Sequence, residues 1–266
     1  WFQTFPRSEE LFMPLSPAKL SARTTRPEFP LSAKYDPHWI LDNHMGPNVL
    51  WLTEILTQKL DLHPSMKVLD LGCGKALSSI FLAREFGVQV WAVDLWISAE
   101  ENAERIRAAG LQDQVIPIHA EAHSLPFEDG FFDAAVSLDA YHYFGTDDLY
   151  FGYFFAKLVK SGGQLGFVSP GLRAELGDQI PPEYLPYWPW DFCSFHSPDW
   201  WRRNWSRCGQ VDVIHADWLA GGWRWWLSWL ETRRDAGFPD DPSERRLLEL
   251  DAGRYLGFTR LVARKL

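Results

Sequence analysis

Short apolar runs near residues 67–71, 89–93, 115–118, 133–138 and 164–169 read as strands buried on both faces, rich in Val, Ile and Leu. Between them, stretches around 76–86, 98–109 and 147–159 mix polar and apolar residues as covering helices do. Strands alternating with helices predict an α/β fold with a parallel sheet covered on both faces. Ahead of the sheet, Tyr35 to Asn43 and Asn48 to Asp61 predict two short helices. Pro47 after Gly46 suits the second start, and Leu50, Ile55 and Leu60 fall near one face of that helix. Beyond Pro170 the pattern changes. A helix from Pro198 to Cys208 stops at Gly209, and Gln210 to His215 and Tyr255 to Ala263 predict two more strands. Between these strands, Gly222 to Ala236 reads as a helix with apolar residues round most of its circumference. It is therefore buried, packed on a neighbour or facing a pocket.

The same pass divides the chain. Residues 1–45 form an N-terminal arm and lid, its first part punctuated by Pro6, Pro14, Pro17, Pro27 and Pro30. Residues 46–170 form the ligand-binding core, 171–200 an insertion rich in proline and aromatic residues, and 201–266 the part that completes the sheet. With 266 residues, one α/β domain with appended elements and a sizeable core is expected. The net charge of -9 and the lack of a basic run disfavour a nucleic-acid partner, which calls for a positive stripe. No apolar run approaches the ~18 residues of a membrane span, so stable membrane insertion is not expected. The three cysteines show no C-x-x-C pairing, which predicts neither a disulfide framework nor a zinc site and suits the cytoplasm. The 15 tryptophans, most of them beyond residue 180, serve a core or a pocket for an apolar ligand. The oligomeric state is left open.

The chemistry concentrates in Val68 to Ala76, V-L-D-L-G-C-G-K-A. A strand ending in Asp70 meets the turn Gly72-Cys73-Gly74, a helix follows, and a second strand ends in Asp94. That is half of a nucleotide-binding sheet. Glycines let the backbone approach a ligand where a Cβ would collide, and Asp94 sits where two ribose hydroxyls can donate to it. The ligand is thus adenosine-like. The third glycine of the dinucleotide fingerprint is missing, since Leu77 stands there, and Asp70 beside the turn suits an ammonium group better than a pyrophosphate. Cys73 is read as a small filler.

These residues resemble the first motif, D/E-x-G-x-G-x-G, of the class I S-adenosylmethionine-dependent methyltransferases, with Ala76 in place of the last glycine. His119 to Phe127 resembles the family's G-D-A-x-x-L-P-F segment. Leu158 to Phe167 resembles its L-K-P-G-G-x-L turn and fifth strand, with Ser161 in the proline position. The ordered motifs cover roughly 66–170 and are most similar to the small-molecule branch. The resemblance implies a Rossmann-like, doubly wound, mostly parallel seven-stranded sheet with an antiparallel edge strand, Tyr255 to Ala263 being its candidate. It implies S-adenosyl-L-methionine as cofactor, held by Asp70, Gly72, Gly74, Asp94, Leu95, Trp96, Glu121 and Ala122, with Glu121 accepting from the adenine amino group.

Methyl transfer from a sulfonium needs alignment, exclusion of water and, for some acceptors, a base. His142, just past the fourth strand, is the base candidate, with Tyr141 beside it; the alternative is that this aromatic stretch packs under the next helix. His38, His44, Tyr143, Tyr184, Tyr187, Trp188, Trp190 and Phe192 are the candidates for holding a small apolar or aromatic acceptor, or a cationic one. The expected reaction is O- or N-methylation in preference to C-methylation. Non-methylating chemistry with the same cofactor, or a non-catalytic binding subunit, are the rivals.

Overall fold

The computed structural model describes residues 15–177, 179–239 and 241–266; the first 14 residues of the expected arm lie outside the described residues. Seven strands form one sheet: β1 (Lys67–Leu71), β2 (Gln89–Asp94), β3 (Val115–His119), β4 (Phe132–Leu138), β5 (Val159–Leu172), β6 (Val211–Leu219) and β7 (Leu256–Lys265). Their order is β3-β2-β1-β4-β5-β7-β6. Every pair from β3 to β5 is parallel. The antiparallel strand of the expected sheet is β7; it slots between β5 and β6, so β6 is the outermost strand on that side. The order reverses between β1 and β4, the point at which parallel sheets open a crevice beyond their carboxyl ends.

Period-two side-chain alternation explains why both faces are apolar. Val68, Val168 and Val262 enter one core, while Leu69, Leu71, Phe167 and Leu261 enter the other. The first core lies under α3 (Val49–Thr57), α4 (Leu77–Phe86), α5 (Ala99–Ala108) and α8 (Gly222–Asp235). The second lies under α7 (Pro198–Ser206), whose Trp201 and Trp205 are fully buried. The short α1 (Pro17–Thr24) and α2 (Pro37–Asn43) precede α3. Local chemistry sets the helix starts. Asn48 caps α3, Ser98 and Glu101 form a capping box on α5, and Ser197 caps α7.

Two stretches depart from the expected elements. In place of one helix over 147–159 stand a π turn (Phe151–Phe155) and a 3-10 turn (Ala156–Leu158), preceded by a four-residue α6 (Tyr141–Phe144). Packing overrides the helical period here. Tyr150, Phe151 and Phe155 are all buried, and Phe151 stacks on Trp205 at 4.3 Å between ring centroids. The second departure is α9 (Pro242–Asp251), absent from the expectation. Its signal is Asp241-Pro242-Ser243-Glu244: Asp241 caps the N–H groups of Ser243 and Glu244, and proline sits in the first turn. Among the described residues no helix is long and apolar enough to cross a membrane.

Candidate active site

A cleft of about 640 Å³ opens over the carboxyl ends of β1, β2 and β4. Its first half is the glycine turn. Gly72 and Gly74 have φ of +74° and +54°, a region costly for side chains with a Cβ. A Cβ on Gly72 would stand 2.4 Å from the Ala140 Cβ, and one on Gly74 would stand 2.8 Å from the Met45 Sδ. The turn is tied down from several sides. The N–H groups of Gly72 and Cys73 donate to the Val93 carbonyl, and Asn102 donates to the Gly74 carbonyl at 2.9 Å. Cys73 is buried, and burial pushes its thiol well above the usual range, which leaves it unreactive.

Asp94 is the centre of this half. Its Oδ2 accepts from the Gly74 N–H at 2.7 Å; its Oδ1 accepts from the N–H groups of Trp96 at 2.8 Å and Ile97 at 3.0 Å. The carboxylate thus fixes both the turn and the start of the segment after β2, and it lines the cleft. Leu95, Trp96, Glu121 and Ala122 line it as well. Trp96 is 67% exposed, its ring 5.7 Å from that of Tyr143 across the cleft. Burial pushes the Glu121 carboxyl up, but hydrogen bonds from the His123 ring and backbone N–H outweigh this and hold it below its ordinary value.

Asp70 is placed differently from the expectation. It is fully buried behind the turn, where its Oδ2 accepts from the hydroxyls of Ser78 and Ser79 at 2.6 Å each, and it does not line the cleft. Its place along the strand is the cause: Asp70 lies one residue before the end of β1, and Ser78 and Ser79 of α4 close over it. Burial pushes its carboxyl up to about 6. The carboxylate that does face the cleft beside Gly72 is Asp139, at the end of β4 with φ +58°. Its Oδ2 stands 2.2 Å from where a Gly46 Cβ would be, so the segment before α3 closes against it. Burial, with Glu244 nearby, holds the Asp139 carboxyl well above its usual range.

Of the catalytic candidates, His142 lines the cleft and Tyr141 does not. His142 is 2% exposed, its Nδ1 has no hydrogen-bond partner among the described residues, and desolvation pushes the imidazole down to about 3. Such a ring is neutral near pH 7, and burial makes it a weak base. Tyr141 turns into the second core, stacking on Phe167 at 4.7 Å while its hydroxyl accepts from the Trp205 indole N–H at 3.0 Å. It is a packing residue.

The substrate-side candidates divide likewise. Tyr143 lines the cleft. His38 and His44 do not: His38 is exposed in the first turn of α2, and the His44 Nδ1 meets the Leu41 carbonyl between Trp229 and Phe238. Their neighbours Asn43, Met45, Gly46 and Pro47 reach the cleft instead. Tyr184 is buried, donating to Asp251 at 2.8 Å and accepting from Arg254; Trp188 stacks on it, and Trp190 stands 86% exposed. Neither these three nor Tyr187 lines the cleft. From the insertion, Pro189, Asp191, Phe192 and Phe195 do, and they meet Trp226, Leu230 and Arg233 of α8 and Asp241 and Glu244 at the start of α9. The tryptophan helix therefore presents Trp226 and Leu230 to the cleft, while Trp229 donates its indole N–H to the Gly46 carbonyl at 2.9 Å. Asp139, Asp191 and Glu244 escaped the sequence reading because only the fold brings their segments together.

The glycine cradle and the anchored Asp94 fit an adenosine-bearing ligand, and comparison with known proteins agrees. Residues 68–163 match the family model of a methyltransferase domain. Methyltransferase GfsG of Streptomyces halstedii is 31% identical over 128 residues, 48% of this chain and 46% of that protein. The chain thus spans less than half the length of that curated relative. Among solved structures, geranyl diphosphate C-methyltransferase from Streptomyces coelicolor superposes with a TM-score of 0.66 at 18% identity, covering 92% of this chain and 86% of that one. The [4+2]-cyclase SpnF does so with a TM-score of 0.63 at 19% identity, covering 80% and 79%. These two likenesses concern the fold. Residues 68–163 thus match a methyltransferase domain, similar to that of S-adenosylmethionine-dependent methyltransferases, and S-adenosyl-L-methionine is the cofactor the cleft fits.

Proposed function

We propose that this protein transfers a methyl group from S-adenosylmethionine to a small molecule, with O- or N-methylation favoured over C-methylation. One observation carries the reading. A single cleft joins the glycine turn and Asp94 to an aromatic wall of Tyr143, Phe192, Phe195 and Trp226. The bound cofactor supplies a methyl group already activated by the sulfonium charge. Gly72, Gly74 and Asp94 hold its nucleoside part, and Leu95 and Trp96 lie where an adenine ring can rest. Asp139, rather than Asp70, faces the cleft where an ammonium group can be received. The aromatic wall excludes water and orients the acceptor for in-line attack, so alignment and desolvation supply most of the rate. His142 orients the acceptor as a neutral hydrogen-bonding group. Calorimetric titration with S-adenosylmethionine and S-adenosylhomocysteine tests the cofactor half; binding of neither overturns the reading.

A second reading keeps the cofactor and drops the transfer: the sulfonium lends only its charge to a cyclisation. The fold shared with a [4+2]-cyclase favours it. Product mass separates the two, since methyl transfer adds one methyl group to the acceptor and cyclisation adds none.

A further inference from the structure

We propose that the acceptor carries a basic amine, and that Glu244 receives its ammonium group and takes its proton, with Asp191 and Asp139 beside it. The inference rests on the methyltransferase reading and names the substrate class of the same site.

The far half of the cleft gathers carboxylates from three separate parts of the chain: Asp139 after β4, Asp191 in the insertion, and Asp241 and Glu244 at the start of α9. Arg233 is the guanidinium among the lining residues there, and His142 is neutral. Like charges held together out of water disfavour their own ionisation. Glu244 shows it: burial first, then Asp241 and Asp191, push its carboxyl up to about 7 against the hydrogen bond from Trp226 and the charge of Arg233. Tyr143 is pushed up to about 12 by burial and by Asp139, Asp191 and Glu244. A cation entering this space lets Glu244 and Asp139 ionise and gives them the partner that burial denies them.

The shape of the site suits an organic cation. The Trp226 indole N–H donates to the Glu244 Oε1 at 2.7 Å, which orients the carboxyl. Phe192 and Phe195 rings stand 4.2 Å apart, and Trp226 lies about 6 Å from each, at 6.0 Å and 6.1 Å. Such faces attract ammonium groups by cation–π interaction. Independently of the acids, His142 lines the same cleft, 2% exposed and with Nδ1 unpartnered among the described residues, a buried acceptor that an N–H donor can satisfy. Among the described residues no three His, Cys, Asp or Glu side chains converge to hold a metal ion, so the carboxylates do not form a metal centre.

The chemistry balances. The bound ammonium gives one proton to the Glu244 carboxylate, which frees the nitrogen lone pair. That pair forms the new N–C bond as the methyl–sulfur bond of the sulfonium breaks, and the bonding electrons pass to sulfur. The positive charge moves from sulfur to the methylated nitrogen, which still faces Asp191 and Asp139.

The test uses the full chain at pH 8, saturated with S-adenosylhomocysteine. Benzylamine, 2-phenylethylamine and tryptamine are titrated beside the alcohols of the same skeletons, and the amines are then offered with S-adenosylmethionine and their masses read. An amine binds and gains a methyl group, its alcohol binds far more weakly, and Glu244→Gln weakens amine binding about 30-fold or more. Gln preserves the acceptor for Trp226, so this variant keeps its affinity for S-adenosylhomocysteine and for the alcohols. Equal binding of amines and alcohols, an equal loss for both in the variant, or binding of no amine while S-adenosylhomocysteine binds overturns the proposal and leaves the methyltransferase reading standing. Failure of the wild-type chain to bind S-adenosylhomocysteine overturns both.

Discussion

Asp94→Asn changes one oxygen into an amide NH2 at constant size, and the hydrogen bonds around it fix the consequence. Oδ1 serves two backbone N–H groups, Trp96 and Ile97, and Oδ2 serves one, Gly74. The asparagine keeps its carbonyl on the side with two donors and turns its NH2 towards Gly74, where two donors then face each other near the present 2.7 Å. One charge-assisted bond is lost and a buried N–H is left unpaired, about 2–4 kcal/mol together. In a domain of this size that lowers the melting temperature of the ligand-free protein by roughly 5–15 °C. Cofactor binding suffers separately. Two ribose hydroxyls that donate to a carboxylate lose the charge, about 2–4 kcal/mol or roughly 30- to 1,000-fold in Kd. Differential scanning calorimetry of the free protein and titration with S-adenosylhomocysteine measure the two effects apart. A lowered melting point with Kd within threefold of wild type would refute the binding role and leave Asp94 as a clamp on the turn. An unchanged melting point would refute the clamp.

Three further outcomes are expected. Asp70→Asn leaves the Kd for S-adenosylhomocysteine within about threefold, because Asp70 meets Ser78 and Ser79 behind the turn; a larger loss returns Asp70 to the cofactor site. His142→Phe lowers turnover about tenfold or more while cofactor affinity is kept, and unchanged turnover removes His142 from the acceptor site. Glu244 makes stability pH-dependent, since its carboxyl is raised from 4.5 to about 7 in the fold. The folded state holds this proton more tightly than the unfolded one, so the stabilisation is full below pH 4.5 and is lost as pH rises to about 7. Glu244→Gln, which cannot ionise, therefore gains about 2–3 kcal/mol over wild type at pH 8 and nothing at pH 4.5. Denaturant melts at the two pH values check it, and an equal difference at both refutes the assignment.

Much of the first half of the cleft was legible in the residues. Strand boundaries from β1 to β4 follow apolar runs that two-sided burial demands, and the glycine turn follows from positions with positive φ. Asp94 was found because its place at a strand end is a local property, as was the tryptophan helix, whose apolar circumference required a neighbour or a pocket. The second half was not legible. Asp70 and Asp94 each end a predicted strand and share one face of the sheet, yet Asp70 falls one residue short of the end of β1, under α4, while Asp94 stands at the tip of β2 in the cleft. Tyr141 and His142 are adjacent, yet one enters the second core and the other lines the cleft. In the insertion, Asp251 and Arg254 hold Tyr184 away with Trp188 stacked on it, and Trp190 is exposed, whereas Phe192, of the expected residues, reaches the cleft together with Asp191 and Phe195.

The sequence by itself determined the elements that depend on near neighbours: strands, capped helices, the glycine turn and the family motifs spaced along one βαβ unit. Only the tertiary structure decided which side chains meet across the cleft. Asp139, Asp191, Trp226 and Glu244 are brought together by β4, the insertion, α8 and α9, and no local periodicity encodes that meeting. The same assembly removes water from them, and it is this desolvation that leaves His142 neutral and Glu244 reluctant to ionise.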